Sequence, residues 1–333
     1  MNRFLFWGAF FLAFGVLFFA LIWRGEWQIA GAVQGTWYHV TVRAPFWVKE
    51  ASVAADINRR FEDIDLAMST YRSDSEISRF NRRLSLEPMG ISADFYTVLQ
   101  AAKVLYSRSG GAFDPTVGPL VKRWGFFDHR AVEVLPTTSE LRGLLRHVGF
   151  DKVMLLPGNR LQKWDALVQL DLDGIAQGYT VDVVAEVIRR HGIQDYLVEI
   201  GGEVVASGKN SQGKDWRVGI NVPRSGSEAT SIYRSLSLHN QAVTTSGGYR
   251  NFVKYRNKFY SHILNPKTGF PVETSIASVS VVAPTALIAD ALDTTLIILG
   301  IEKGNALLEH YPGTRALYIM QTSDGRFRSQ WSK

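Results

Sequence analysis

The chain contains no cysteine among its 333 residues. This absence excludes thiol catalysis, cysteine-based zinc sites, disulfide bonds and a lipid-modified cysteine as a membrane anchor. The excess of positive charge is also small, because the formal net charge is only +6 and the sequence has no long run of Lys and Arg. Nucleic acid is therefore not expected as a partner. Internal repeats and low-complexity segments are missing as well, so the length fits one large domain or two closely packed ones.

One long apolar run is present at the start of the chain. Residues 4–23 carry no charge, and a helix of this length rises about 1.5 Å per residue, enough to cross a bilayer core of roughly 30 Å. Trp7 and Trp23 lie near its two ends, where indole rings favour the membrane interface. A cleaved signal peptide is the alternative, although its apolar region is usually shorter, about 7–15 residues.

These features predict three parts: an N-terminal membrane anchor (residues 1–24), a tether (25–33) and one large domain (34–333). A short tail inside and a large translocated domain outside would make a single-pass protein of the inner (plasma) membrane. Its large domain would then lie on the periplasmic or extracytoplasmic side. Arg3 is the only positive residue before the run, so this orientation rests on a thin charge asymmetry.

Hydrophobic periodicity predicts a mixed body of helices and strands. Apolar residues recur at helical spacing in residues 49–68, after the N-cap candidate Ser92, after a Thr137–Glu140 capping box, in 181–188 and in 286–299. Extended segments are predicted at 34–42, 167–170, 196–200, 216–221, 252–255, 259–264 and 276–282. Consecutive strands joined by hairpins favour antiparallel sheets, so we expect an α+β fold.

The helix predicted at residues 286–299 carries the clearest chemistry. Asp290, Asp293 and Thr294 lie at positions i, i+3 and i+4, on one ridge of an otherwise apolar helix. Buried carboxylates are costly unless a cation or strong donors compensate them, and these hard oxygen ligands suit Mg²⁺ better than zinc. The alternative is a polar stripe that faces solvent.

Two glycine-containing segments could meet a ligand. In residues 171–178 (DLDGIAQG) a strand-to-helix turn would expose backbone groups, and Gly174 would let a carbonyl approach a metal. In residues 110–119 (GGAFDPTVGP) a rigid loop presents Asp114, which could accept a hydrogen bond from a ligand. An ordinary tight turn and a structural loop are the alternatives.

Two further segments offer polar side chains. Residues 244–250 (TTSGGYR) combine hydroxyls, flexible backbone and Arg250, as a phosphate cradle would, although a plain Gly-Gly turn is equally compatible. In residues 261–271 (SHILNPKTGFP), His262 would leave a strand just before a turn. A single histidine is more often structural than catalytic.

In this order the segments resemble the flavin transferase family, the FAD:protein FMN transferases also called ApbE-like proteins. The likeness extends from about residue 34 to about residue 300. It also includes MSTYR at 68–72, SEISRFN at 75–81, IGGE at 200–203 and ADAL at 289–292. Each motif is modest alone, but their combination and order are specific. The resemblance implies an ApbE-like α+β body with largely antiparallel sheets, preceded here by one transmembrane helix.

The resemblance also implies a set of site residues. FAD would contact Gln34, Tyr71, Ala112, Phe113, Asp114, Asp171, Gln177 and Ile263. Mg²⁺ on the pyrophosphate would be held by Gly174, Asp290, Asp293 and Thr294, with Asp293 or His262 as the catalytic base. The family often has Met at the position of Gln34 and Lys at that of Gln177. A neutral Gln177 cannot offset phosphate charge, so FAD affinity could be weaker.

The implied activity is Mg²⁺-dependent transfer of FMN from FAD to a Thr or Ser hydroxyl of a target protein, with release of AMP. Acceptors in this family are typically membrane electron-transfer subunits. An FAD pyrophosphatase that gives FMN and AMP is one alternative. A membrane-anchored FAD-binding redox module is another, although a redox flavin needs no Mg²⁺.

Overall fold

The computed structural model describes residues 24–126, 134–224, 226, 231–249, 252–255 and 258–332. The expected anchor at 1–24 therefore lies, except for residue 24, outside the described residues, and so does Arg250. Within the described ranges, no helix has both the length and the apolar character needed to cross a bilayer.

A large antiparallel sheet forms the centre of the molecule. Its strands follow the order β1-β2-β6-β7-β10-β13-β14-β15, and each neighbouring pair is antiparallel. These strands are β1 (Arg24–Val33), β2 (Thr36–Pro45), β6 (Asp195–Ile200), β7 (Glu203–Ser207), β10 (Gln241–Ser246), β13 (Ile276–Ala283), β14 (Arg315–Gln321) and β15 (Phe327–Trp331). The α+β class with antiparallel sheets is therefore confirmed.

Smaller sheets complete the strand content. One has the order β3-β5-β4, and two are hairpins, β8-β9 and β11-β12. The strands are β3 (Met89–Gly90), β4 (Val153–Leu156), β5 (Arg160–Lys163), β8 (Trp216–Asn221), β9 (Ile232–Leu238), β11 (Phe252–Tyr255) and β12 (Lys258–Ser261).

The helices in the described residues are α1 (Glu50–Met68), α2 (Glu76–Arg82), α3 (Ala93–Arg108), α4 (Gly118–Arg123), α5 (Thr138–Leu145), α6 (Ala176–Arg190) and α7 (Ala286–Leu308). Their starts follow local signals, since Ser92 accepts a hydrogen bond from the Phe95 amide and Thr137 with Glu140 forms the expected capping box. Helix α7 continues past its predicted end through Gly300, whose φ of 74° departs from helical geometry.

The helices α1, α6 and α7 cover one face of the large sheet, because their apolar stripes share core clusters with its strands. The hairpin β8-β9 covers part of the other face, where Trp216 and Leu238 pack against Val243 and Leu317. Helix α7 packs against the large sheet, α6 and α3, and it is therefore buried on most sides, as its apolar sequence predicted.

Two local predictions were wrong. Residues 25–33 are not a tether, because they belong to β1, which pairs with β2 along its whole length and buries Ile29 and Val33. Residues 167–170 are not a strand. The side chain of Asn81 donates to the Leu170 carbonyl at 2.8 Å and accepts from its amide at 2.7 Å, so Leu170 needs no partner strand.

Candidate active site

A cavity of about 340 Å³ lies beside the start of α6 and the first half of α7. This volume falls within the usual range of small-molecule sites, about 300–1,000 Å³. The lining contains every residue predicted for the site except Gln34 and Tyr71, namely Ala112, Phe113, Asp114, Asp171, Gly174, Gln177, His262, Ile263, Asp290, Asp293 and Thr294. The fold thus gathers segments that lie far apart in sequence.

The position of Asp290 is set by close contact between α6 and α7. The Gly178 amide donates to Asp290 Oδ2 at 2.7 Å. A Cβ atom at position 178 would lie 2.3 Å from the Ala286 carbonyl oxygen and 2.6 Å from Asp290 Cβ, so only glycine allows this approach. The glycine and the carboxylate are therefore two parts of one helix contact.

The start of α7 is fixed by side chains that accept its free amides. Asp182 on α6 accepts from the Ala286 and Leu287 amides, each at 2.9 Å, and Thr285 accepts from the Ile288 amide. Burial raises the pKa of Asp182 to about 6, while these amides act in the opposite direction. The capping holds the first turn of α7, and Asp290, Asp293 and Thr294 lie on the turns that follow it.

The cavity is strongly acidic. Burial raises the pKa of Asp290 well above its usual value, and the charge of Asp293 adds to the effect. Burial likewise raises the pKa of Asp293. The charge of Asp171 is the main cause that raises the pKa of Asp173 to about 8. No Lys or Arg is found among the described residues that line this cavity. Buried carboxylates that lie so close together are stable in their charged form only when a cation compensates their charge.

The predicted cation ligands have suitable chemistry. Gly174, Asp290, Asp293 and Thr294 all line the cavity, and the Thr294 hydroxyl donates to Ser246 Oγ at 2.8 Å. Across the described part of the chain, no group of three or more His, Asp or Glu side chains is arranged to hold a metal. A cation here would therefore take ligands from a carbonyl, a hydroxyl and its substrate besides two carboxylates, as Mg²⁺ often does.

Two of the predicted FAD contacts that line the cavity, Asp114 and Gln177, form hydrogen bonds within the protein. Asp114 accepts from the amide and the hydroxyl of Thr116 at 2.8 and 2.6 Å, and its pKa is raised by burial. Gln177 donates through Nε2 to the Ile200 carbonyl at 3.1 Å. These bonds orient both side chains at the cavity wall.

Gln34 and Tyr71 lie outside the cavity lining. Gln34 occupies the turn between β1 and β2 with a φ of 50°, and its side chain donates to the Thr180 hydroxyl at 3.1 Å. Tyr71 is 66% exposed. The structure therefore brings neither side chain to the carboxylates.

His262 lies at the cavity just after β12, which ends at Ser261 and not at Leu264 as predicted. Its ring centroid is 6.5 Å from that of Phe126. The turn that follows is held by Trp124, whose Nε1 donates to the Gly269 carbonyl at 2.7 Å. A rigid turn of this kind restricts the position of the His262 imidazole.

Four lining residues with polar side chains were not among the predicted site residues: Asp173, Glu203, Thr245 and Ser246. Each lies inside one of the sequence motifs described above. Their position in these motifs was the signal that could have identified them as site residues. Asp182 had only a weaker indication in the sequence, as an acidic residue on α6, the helix that packs against α7.

Comparison with known proteins gives a consistent result. A profile of the ApbE family matches residues 34–318. The FAD:protein FMN transferase of Vibrio cholerae is 37% identical over 299 residues, which cover 90% of this chain and 88% of the relative. The enzyme of the same name from Haemophilus influenzae is 37% identical over 311 residues, with the same coverage of the two chains.

Solved structures agree. The flavin transferase ApbE from Vibrio cholerae superposes with a TM-score of 0.84 at 35% identity, covering 93% of this chain and 98% of that one. The apo form of the flavinyl transferase ApbE from Pseudomonas stutzeri gives a TM-score of 0.82 at 32% identity, covering 94% and 96%. The resemblance seen in the motifs is thereby confirmed, and the chain belongs to the ApbE family.

Proposed function

We propose that this protein is a Mg²⁺-dependent FAD:protein FMN transferase, which moves FMN from FAD to a Thr or Ser hydroxyl of a target protein and releases AMP. The activity is supported by the curated relatives that carry this name and match about nine-tenths of the chain. The observation that carries the proposal is the cavity rich in buried carboxylates, with no Lys or Arg among its described lining residues.

Mg²⁺ would be held by the Gly174 carbonyl, the carboxylates of Asp290 and Asp293 and the Thr294 hydroxyl. When bound, it neutralises the pyrophosphate and stabilises charge on the leaving oxygen. Support comes from the two buried carboxylates, whose pKa values are both raised by burial. The modest number of acidic ligands leaves coordination positions for substrate oxygens.

FAD binds along the same wall, on Ala112, Phe113, Asp114, Asp171, Gln177 and Ile263. Part of so large a dinucleotide must extend beyond a cavity of about 340 Å³. We assign that outer part to Gln34 and Tyr71, since the exposed Tyr71 ring offers a flat surface on which an aromatic group can stack.

The transfer step is an in-line displacement at phosphorus. The acceptor hydroxyl oxygen forms a bond to the FMN phosphorus, the bond from that phosphorus to the bridging oxygen breaks, and AMP leaves with the electron pair. Asp293 and His262 are the two candidates to take the hydroxyl proton. We favour His262, because a divalent cation on Asp293 lowers the proton affinity of that carboxylate, whereas an imidazole titrates near neutral pH.

The catalytic domain acts outside the cytoplasm, tethered to the inner (plasma) membrane through residues 1–24. The charge-free run at residues 4–23 supports this part of the proposal. Acceptors are then membrane electron-transfer subunits whose hydroxyl-bearing segments face the same side.

The test uses the full chain with FAD, Mg²⁺ and candidate acceptor domains, and mass spectrometry to detect an added FMN. We expect Asp290→Asn, or removal of Mg²⁺ by a chelator, to lower transfer by about 1,000-fold, since metal stabilisation contributes several kcal/mol. Asp63→Asn, which changes an acid in an exposed ion pair with Arg60, is the matched control and keeps full activity. Normal labelling by Asp290→Asn would remove the metal assignment.

The same assay separates the alternative functions. AMP release at an equal rate without an acceptor would identify an FAD pyrophosphatase. Intact FAD that stays on the protein and undergoes redox turnover would identify a flavin-binding redox module.

A further inference from the structure

A tight turn after β2 carries two exposed aromatic side chains. The Val48 amide donates to the Pro45 carbonyl at 3.0 Å, which closes a turn with Phe46 and Trp47 at its centre. Phe46 is 61% exposed and Trp47 is 57% exposed, and their rings meet edge to face at 5.1 Å. Central turn positions usually hold Gly, Asn, Asp or Pro, so two large aromatic residues there need an explanation beyond chain reversal.

The position of this turn is informative. Pro45 pairs with Arg24, the first residue of β1. The charge-free apolar run ends at residue 23, immediately before that strand. Paired Cα atoms in an antiparallel ladder lie about 5 Å apart, so the aromatic turn adjoins the point where the proposed anchor meets the domain.

We propose that Phe46 and Trp47 insert into the interfacial layer of the bilayer and dock the catalytic domain on the membrane surface. The inference rests on the anchor included in the proposed function. The interfacial layer is about 5–7 Å thick on each side of the hydrocarbon core, a depth that an indole ring can enter. Trp favours this layer because its ring is apolar while its N–H can stay hydrated, and the apolar Phe ring enters the boundary beside it.

Docking at this turn would also set the distance of the active site from the membrane surface. Strand β2 runs from Thr36 to Pro45, which spans about 30 Å at roughly 3.3 Å per residue. At its far end, a Cβ on Gly201 would lie 3.0 Å from Thr36 and 2.0 Å from the amide of Gln177, which lines the cavity. The strand thus links the membrane turn to the catalytic cavity through one rigid, paired element.

The chain is free of cysteine, so a single introduced cysteine can carry a fluorescent label without background. The full chain would be reconstituted in phospholipid vesicles with a polarity-sensitive label at position 47 (Trp47→Cys). The matched control is Trp37→Cys, which lies on the same strand, is 67% exposed and sits at the cavity end. We expect a blue-shifted emission at position 47, with several-fold stronger quenching by lipid-attached quenchers than at position 37.

A second pair of variants tests the rings themselves. The label is placed at Lys49→Cys, with and without Phe46→Ser and Trp47→Ser, and the lipid signal should be lost when both rings are removed. Flotation with the vesicles checks the anchor separately, and FMN transfer checks the enzyme. A chain that fails to float overturns the anchor and this proposal together. A floating, active chain whose label at position 47 is as accessible to aqueous iodide as that at position 37 overturns the docking alone.

Discussion

The contact between α6 and α7 at Gly178 makes a quantitative prediction for Gly178→Ala. The added Cβ would lie 2.3 Å from the Ala286 carbonyl oxygen and 2.8 Å from its carbonyl carbon. Both are backbone atoms in the capped first turn of α7, so neither can move away as a flexible side chain would. An ordinary contact begins near 3.4 Å, and the two helices must therefore separate by about 1 Å.

Two opposing effects decide the sign of the stability change. Alanine is favoured over glycine within a helix by about 1 kcal/mol. Overpacking that forces backbone shifts costs typically about 1–3 kcal/mol, and the separation also weakens the 2.7 Å bond from the Gly178 amide to Asp290, worth about 1.5–3 kcal/mol. The cost exceeds the gain, and we expect a net loss of about 2–4 kcal/mol in the free energy of unfolding.

Activity should fall further than stability accounts for. A displacement of about 1 Å in a catalytic group can lower a rate by about 100-fold. We therefore expect about 100-fold slower FMN transfer by Gly178→Ala at a temperature where circular dichroism shows it folded. Urea unfolding gives the stability, and mass spectrometry of the acceptor gives the rate.

The control is Gly143→Ala in α5, where an added Cβ meets nothing within 4 Å. That variant should be as active as the parent and up to about 1 kcal/mol more stable. If Gly178→Ala matched the control in both measurements, the helices could not be packed as described, and the placement of Asp290 would lose its basis.

Three further substitutions test the supports of the site. Burial raises the pKa of Asp182 to about 6 from 3.8, so the folded state holds this proton more tightly and parent stability falls as pH rises from about 4 to 6, by up to about 3 kcal/mol. Other buried acids with raised pKa values contribute to the pH dependence of both proteins, so urea unfolding of Asp182→Asn at several pH values should show a decline that is smaller by this amount; an unchanged slope would contradict the pKa. Trp124→Phe leaves the Gly269 carbonyl without its donor and should cost about 1–3 kcal/mol, whereas an unaltered urea midpoint would show the bond to be dispensable. Asn81→Ala frees both backbone groups of Leu170, and we expect a similar loss together with weaker FAD binding in a fluorescence titration; unchanged affinity would show that Leu170 does not position the neighbouring turn.

Much of the site could be predicted because its side chains lie at regular spacings on strongly patterned elements. The i, i+3, i+4 ridge of Asp290, Asp293 and Thr294 survives in any α-helix, whatever the surrounding fold. Its apolar neighbours already predicted burial, and burial is what raises the pKa values of the two carboxylates.

Two other features depend on contacts between distant segments, which periodicity does not report. The strand expected at residues 167–170 is absent because one side chain, Asn81, supplies both hydrogen bonds that a neighbouring strand would have made. By contrast, residues 25–33, which were expected as a tether, pair with the adjacent β2 across a two-residue turn at Gln34 and Gly35, a local hairpin that the prediction overlooked. Gly178 is another residue whose role depends on a distant contact. In sequence it weakens a helix start, and only the Ala286 backbone across the contact reveals that a side chain would not fit there. For Leu170 and Gly178 the deciding contact is with a segment far along the chain, so periodicity predicts which residues can do chemistry, while contacts between distant segments determine their positions.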